Sequence, residues 1–380
     1  MNNTMFTIHF SFLLLFANIV GSCKDTSVNP PPPLAQNHQW VEVPEFVNLD
    51  IRCMIHFNDE LYASVVHYQG DTVYPGAILK TTDGNTWRLV KTFTETIGPM
   101  TVENDSLYVM SDHFIFVMDV IGNWNIKFDV PWDMAEAEWI GDMVFLNGNL
   151  LVIQTRFTGY MYHVSRDGVW KKVISPPALD GSIWGAKFLK IKKDGKDVLY
   201  LRPSFNGNGI TFFRFDGVNF IRMQNGFSNS AVGFNSIVFH NDTLFAGFRP
   251  NSHSSGIISF WNGDEWKMYG DSIPNNRYAP YFIPPLITMP TAIIFIGNEL
   301  FIATDVHGIF SKKYGEPYKT LNKGLLMSQS YSADMGVFNT ISFLEHFKGN
   351  LFVGYGNPAY MWGTLISGPR MGLLKYRLGY

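Results

Sequence analysis

The stretch FNDELY, residues Phe57 to Tyr62, has the form of a tight β-hairpin. Asn and Asp tolerate the positive φ angles of a two-residue turn, and alternating apolar residues on each side indicate two paired strands. Similar phrases recur along the chain as ENDSLY, LNGNLL, HNDTLF, IGNELF, FKGNLF and, more loosely, KDGKDVLY. The sequence therefore predicts seven hairpins of one kind.

The spacing of these hairpins predicts repeated four-stranded units. Successive marker leucines stand about 50 residues apart, which is the span of a four-stranded propeller blade with its loops. The marker leucines are Leu61, Leu107, Leu150, Leu199, Leu244, Leu300 and Leu351. A second phrase predicts a third strand and its exit turn, and its clearest copies are GIISFWNG, GIFSKKYG and GLLKYRLG. An aromatic residue then opens the expected fourth strand in six repeats, at Trp87, Trp124, Trp170, Phe220, Trp266 and Tyr318.

The two ends of the chain complement each other. The last repeat has no fourth strand after Gly379, whereas HQWVEVP around Trp40 is a strand-like segment with no blade before it. Pairing these ends removes an exposed sheet edge. We therefore predict an all-β fold, a seven-bladed β-propeller of four-stranded antiparallel blades, closed by an N-terminal strand that completes the last blade.

One turn resembles a known propeller motif. TTDGNTW, residues Thr81 to Trp87, is similar to the Asp-box of sialidases and related propellers, one residue short of the full pattern, and the repeat also resembles kelch-like propellers. In the Asp-box family this stretch is a structural turn between the third and fourth strands. The resemblance therefore implies a feature of the fold and not of the chemistry.

The N-terminal segment carries export signals. The apolar run from Phe10 to Phe16 is followed by Val20-Gly21-Ser22-Cys23, which resembles the lipobox of bacterial lipoproteins. The resemblance implies a signal peptide over residues 1–22 and lipidation of Cys23. Lys24-Asp25 looks like the export signal of surface lipoproteins in the Bacteroidetes. The alternative is an ordinary secretory signal with an incidental cysteine.

The sequence then divides into a tether and one large domain. Residues 23–38 are polar and proline-rich, which favours an extended spacer, and residues 39–380 hold the repeats. The expected location is the cell envelope, with the protein anchored by lipid in the outer membrane and exposed on the surface or in the periplasm. The other thiol, Cys53, is expected to be a small buried hydrophobe.

Composition and motifs argue against several functions. A net charge of −3 gives no basic footprint for nucleic acid. The chain has no CxxC motif, no His-x-x-x-His motif and no phosphate-binding loop, so we predict no cofactor and no metal site.

Candidate binding residues lie where propellers usually bind ligands. That place is the face formed by the connections between second and third strands and between blades. Arg156, Arg202 and Arg249 occupy similar places on three consecutive blades, and guanidinium groups grip carboxylate, sulfate or phosphate through paired hydrogen bonds. Solvated surface arginines are the alternative. Further candidates on this face are His67, His113, Asp305, His307, Tyr360 and Trp362.

Three functions follow as hypotheses. The first is a non-enzymatic surface lipoprotein that binds a glycan or another anionic ligand. The second is a glycoside hydrolase or lyase of sialidase-like fold, which usually needs two carboxylates across the scissile bond. The candidates for these are Glu136, Glu138, Asp180 and Asp334. The third is a scaffold subunit of an outer-membrane complex with protein partners.

Overall fold

In a computed structural model, the chain forms seven four-stranded antiparallel sheets arranged in a ring. The structure describes residues 39–69, 72–131, 140–154, 161–173, 187–202, 212–216, 219–223, 232–249, 255–274, 289–305, 307–325, 341–355 and 372–379. The predicted seven-bladed β-propeller is thereby confirmed. The proposed signal peptide, the tether and Cys23 lie outside the described residues.

The strands follow the predicted repeats in chain order. Strand β1 (Val41–Glu42) is followed by one 3₁₀ turn at Pro44–Phe46. Blade 1 contains β2 (Leu49–Phe57), β3 (Glu60–Gln69), β4 (Thr72–Thr81) and β5 (Arg88–Thr92). Blade 2 contains β6 (Ile97–Glu103), β7 (Ser106–Ser111), β8 (Phe114–Met118) and β9 (Trp124–Asp129). Blade 3 contains β10 (Ile140–Leu146), β11 (Asn149–Gln154), β12 (Met161–Val164) and β13 (Trp170–Val173).

The remaining blades have the same composition. Blade 4 contains β14 (Lys187–Lys193), β15 (Lys196–Arg202), β16 (Phe213–Phe215) and β17 (Phe220–Arg222). Blade 5 contains β18 (Val232–His240), β19 (Thr243–Arg249), β20 (Ile257–Trp261) and β21 (Trp266–Met268). Blade 6 contains β22 (Pro290–Ile296), β23 (Glu299–Thr304), β24 (Ile309–Lys313) and β25 (Lys319–Thr320). Blade 7 contains β26 (Ile341–Phe347), β27 (Asn350–Tyr355) and β28 (Gly372–Arg377), and β1 is its fourth strand.

Two-residue turns join the first and second strands of every blade. In six of the seven turns both central residues have positive φ, as at Asn58 (50°) and Asp59 (58°). Asn, Asp and Gly accept this backbone conformation at little cost, which is why they mark the hairpins in the sequence.

The turns between third and fourth strands use side-chain acceptors. In blade 1, Oδ1 of Asp83 accepts hydrogen bonds from the backbone N–H groups of Asn85 (2.8 Å) and Thr86 (2.9 Å). Those bonds lower the pKa of the Asp83 carboxyl. In blade 5, Oδ1 of Asn262 likewise accepts hydrogen bonds from the backbone N–H groups of Asp264 and Glu265. These contacts give the turn at Asp83 a structural role.

The hydrophobic core lies between neighbouring blades. Each of the seven blade–blade interfaces holds a cluster of buried apolar side chains. The marker leucines are at most 3% exposed, so the repeat in the sequence is also the repeat of the core. No helix among the described residues is long and apolar enough to span a bilayer.

Strand β1 closes the ring. It pairs antiparallel with β28, with Val41 opposite Lys375 and Glu42 opposite Leu374. The backbone N–H of Val43 extends the pairing by donating to the carbonyl of Leu373 at 2.9 Å. The predicted exchange between the chain ends is therefore confirmed.

Trp40 fixes this closing strand in place. Its side chain is 3% exposed and packs on Tyr376 with a centroid distance of 5.2 Å. The indole N–H donates to the carbonyl of Leu321, and the backbone N–H donates to that of Lys323 at 2.9 Å. Trp40 therefore ties the N-terminal strand to the segment that follows blade 6 as well as to blade 7.

We expect Trp40→Ala to destabilise the propeller by about 3 kcal/mol or more, because a large buried ring and its hydrogen bond are lost. Val41→Ala is the matched control, since Val41 lies on the same strand and is 49% exposed. Its effect should stay within about 0.5 kcal/mol. Urea unfolding followed by tryptophan fluorescence measures both. Equal midpoints for the two variants would contradict this role of Trp40.

Candidate functional site

The ring has two distinct faces. We call the side where the second strands end the upper face, and the side with the two-residue turns the lower face. The second strands end at Gln69, Ser111, Gln154, Arg202, Arg249, Thr304 and Tyr355. Of the sequence-predicted site residues in the described part of the chain, His67, Arg202 and Arg249 lie in the last residues of second strands, and His113, Asp305 and His307 lie just after them.

Two of the three candidate arginines end equivalent strands. Arg202 is the last residue of β15, and Arg249 is the last residue of β19 on the neighbouring blade. Each pairs with the first residue of the first strand, Lys187 and Val232 respectively. Both strands have seven residues, and the offsets from the marker leucines differ because Leu199 is the fourth residue of β15 whereas Leu244 is the second residue of β19. Arg156 lies outside the described residues.

Lys187 adds a basic group that the sequence reasoning missed. Its Nζ donates to the carbonyl of Gly141 at 2.9 Å and lies 4.0 Å from Oδ1 of Asp142. Oδ2 of Asp142 accepts the backbone N–H of Phe188 at 2.8 Å. In the strand register Lys187 lies opposite Arg202, so two basic residues occupy the same end of blade 4. The pairing of Lys187 with Arg202 is seen only in the register of strands β14 and β15 and not in the sequence.

The histidines of blades 1 and 2 lie at strand ends. His67 is half-buried and pairs with Leu49. His113 follows β7 in a tight turn, where its Nε2 lies 3.2 Å from Oδ1 of Asp112. Its carbonyl accepts the backbone N–H of Val130 at 2.7 Å.

Asp305 and His307 lie in one connection of blade 6. Oδ1 of Asp305 accepts the backbone N–H of Met289 at 2.9 Å, which fixes the entry to β22. His307 is 4% exposed, and its carbonyl accepts the side-chain amide of Asn322 at 3.0 Å. These contacts position the connection itself, and ligand binding by either residue stays a prediction. Tyr360, Trp362 and the candidate carboxylates Glu136, Glu138, Asp180 and Asp334 lie outside the described residues.

The first strands contribute charged groups to the inner wall of the ring. Nζ of Lys190 on blade 4 lies 3.3 Å from Oε2 of Glu103 on blade 2, although these blades are not neighbours. The space enclosed by the ring is therefore narrow enough there for these two side chains to meet across it. Among the described residues, no group of three or more His, Cys, Asp or Glu side chains is arranged to hold a metal ion.

Cys53 is not activated for chemistry. It lies on β2 and packs in the cluster between blades 1 and 2. Burial raises the pKa of its thiol to about 11, so the thiol is protonated at neutral pH. This agrees with its expected role as a small apolar side chain.

Comparison with known proteins supports the fold alone. No family model and no curated protein matches the chain. The extracellular domain of BT4673 from B. thetaiotaomicron aligns with a TM-score of 0.57 and 12% identity, over 90% of this chain and 40% of that one. PorZ of Porphyromonas gingivalis is described as an essential bacterial surface component of the type-IX secretion system. It aligns with a TM-score of 0.53 and 15% identity, over 86% of this chain and 46% of that one.

A third similar structure is YCF48 bound to a D1 peptide, with a TM-score of 0.55 and 11% identity over 92% of this chain and 98% of that one. The chain spans less than half the length of BT4673 and PorZ in those structures. BT4673 and PorZ are β-propeller neighbours of this protein that come from Bacteroidetes surface proteins.

A histidine pair lies at the seam between blades 1 and 7. Nε2 of His56 lies 2.9 Å from Oε1 of Glu345, and this hydrogen bond raises the pKa of His56. Burial lowers the pKa of the adjacent His346. The two histidines therefore contribute opposite pH dependences to the stability of the seam.

We expect His56→Gln to lower stability more at about pH 6 than at about pH 8.5. A raised pKa means that the stabilisation is complete below the unfolded-state pKa and is lost as pH rises through the folded-state pKa. The effect should stay below about 1 kcal/mol, since half of the His56 side chain is exposed. Thermal unfolding at both pH values measures it. His346→Gln is the control and should be relatively more stable at the lower pH, and a His56→Gln deficit independent of pH would overturn the assignment.

Proposed function

We propose that the protein is a lipid-anchored recognition propeller of the bacterial cell surface, and that its upper face binds a glycan or another anionic ligand. The observation that carries the proposal is that Lys187 and Arg202 lie opposite each other at the strand ends of blade 4 and that Arg249 ends the equivalent strand of blade 5. These residues occupy strand ends of two neighbouring blades on one face of the ring.

The chemistry of these groups favours an anion. Guanidinium groups bind carboxylate, sulfate and phosphate through two parallel hydrogen bonds, and an ammonium group adds a point charge. Asp142 is the nearby carboxylate in the described part of this region, and it already accepts the backbone N–H of Phe188. An acidic sugar carries the complementary charge.

The cellular location of the protein is part of the same proposal. The lipobox-like Val20-Gly21-Ser22-Cys23 and the proline-rich tether favour lipid anchoring of a domain held away from the membrane. The surface propellers PorZ and BT4673 give this location support by fold analogy only.

The experiment compares two triple variants of the full chain, purified in detergent. In the first, Arg156, Arg202 and Arg249 are replaced by alanine. In the matched control, alanine replaces the exposed arginines Arg214, Arg222 and Arg377, so the net charge is the same. A glycan array with sialylated, sulfated and uronate-containing members measures binding, and mass spectrometry of the eluates measures turnover.

We expect the first variant to lose binding to acidic glycans by at least about tenfold, because several charge-assisted hydrogen bonds are removed. The control variant should bind like the unmodified chain. Equal binding by all three proteins would refute the arginine face. Release of cleaved sugars by the unmodified chain would instead support the sialidase-like hydrolase or lyase.

A further inference from the structure

A groove opens on the lower face between blades 5 and 6. It has a volume of about 480 Å³ and is bordered by the hairpin turns after β18 and β22 and by the turn after β24. Pockets for small ligands usually measure a few hundred Å³ and combine an apolar lining with a few polar groups. This groove meets both conditions, and none of the upper-face candidates contributes to it.

Stacked rings form its inner wall. The imidazole of His240 lies parallel to the ring of Phe295, with a centroid distance of 4.1 Å and an angle of 6°. Phe245 and Tyr269 pack behind Phe295 at 4.7 Å and 6.4 Å, and both are 8% exposed. The wall is thus a rigid aromatic surface held by the core of the blade interface.

Tyr314 forms the outer wall, and this residue is 76% exposed. Its ring centroid lies 5.4 Å from that of Tyr269, so the exposed ring continues the aromatic surface. An exposed tyrosine in the turn of an outer strand contributes little to folding, since it buries little area.

A buried lysine fixes the turn that carries Tyr314. Lys312 has a side chain 2% exposed, and its Nζ donates to the carbonyl of Glu316 at 2.8 Å. The ammonium also lies 4.3 Å from the ring centroid of Tyr318. A Cβ atom at Gly270 would lie 2.6 Å from Cε of Lys312, so the glycine makes room for this arrangement. The outer wall is therefore preorganised.

The lining of the groove holds one positive and one negative side chain, Lys313 and Glu316. Behind them, Nζ of Lys319 lies 2.9 Å from the carboxylate of Glu316, and Nζ of Lys312 lies 3.9 Å from Oδ2 of Asp271. Burial lowers the pKa of His240, so its imidazole is neutral at pH 7. The side-chain amides of Asn241 and Asn298 line the rim and offer both donors and acceptors. A neutral ligand with many hydroxyl groups fits these groups better than an ion.

We infer that this groove binds a short neutral saccharide, with the C–H face of one sugar ring packed on the aromatic wall. Hydroxyl groups of the sugar would bond Asn241, Asn298 and Glu316. The site is independent of the proposed anion-binding arginines, because it lies on the opposite face of the ring.

The test uses the full chain and a panel of neutral mono- to trisaccharides of glucose, galactose, mannose and N-acetylglucosamine. Calorimetric titration up to about 20 mM detects a site with a Kd of about 1 mM. Saturation-transfer NMR reports which sugar protons touch the protein. The variant is Tyr314→Ala, and the matched control is Ile121→Ala, at a residue 79% exposed in the turn between the third and fourth strands of blade 2.

We expect at least one panel member to bind, with saturation transferred to its ring C–H protons. Tyr314→Ala should weaken that binding by at least about tenfold, and Asn298→Ala by a smaller factor, while Ile121→Ala leaves it unchanged. The triple arginine variant should also bind this sugar normally, which separates the groove from the upper face. Absence of binding across the panel, or equal binding by Tyr314→Ala and Ile121→Ala, would overturn the inference.

Discussion

The closing contact of Trp40 and strand β1 is the constraint on which the ring depends. A ring of sheets buries every blade face only if its first and last blades meet. Here they share a buried cluster that includes Val43 and Phe46, and the two-residue strand β1 just before these residues completes the last blade. Such a short ladder is weak by itself. Its strength comes from Trp40, which is buried between blades 6 and 7, and from Gly324, whose φ of 87° and missing side chain let the backbone approach that tryptophan.

The sequence predicted the fold well because the signals are local. Asn and Asp in the turns and a buried leucine in each second strand report backbone conformation and burial at single positions, and they repeat. The pairing of Lys187 with Arg202 was not predictable, because it depends on the register of strands joined across a turn. The groove was missed for a stronger reason: Tyr314, His240 and Tyr269 lie far apart in the sequence and meet only when blades 5 and 6 pack together.

The two faces of the ring differ in the chemistry that they offer. The upper face has basic residues at the strand ends of blades 4 and 5. The lower face has an aromatic groove whose lining holds one positive and one negative side chain. A propeller suits such a division, because its turns are fixed by paired strands while their side chains remain open to variation. Binding of an anionic ligand and of a neutral sugar would then occur at separate places on one rigid scaffold.

Disulfide trapping shows whether the N-terminal strand pairs with β28 of its own ring. Val41 and Lys375 are paired residues, so cysteines at both positions are within bonding range in a Cys23→Ser, Cys53→Ala background. We expect an intramolecular disulfide and a higher unfolding temperature, whereas cysteines at Val47 and Lys375 should stay reduced. Free thiols in the Val41 and Lys375 pair, or disulfide-linked dimers in place of monomers, would show that the N-terminal strand does not close its own ring.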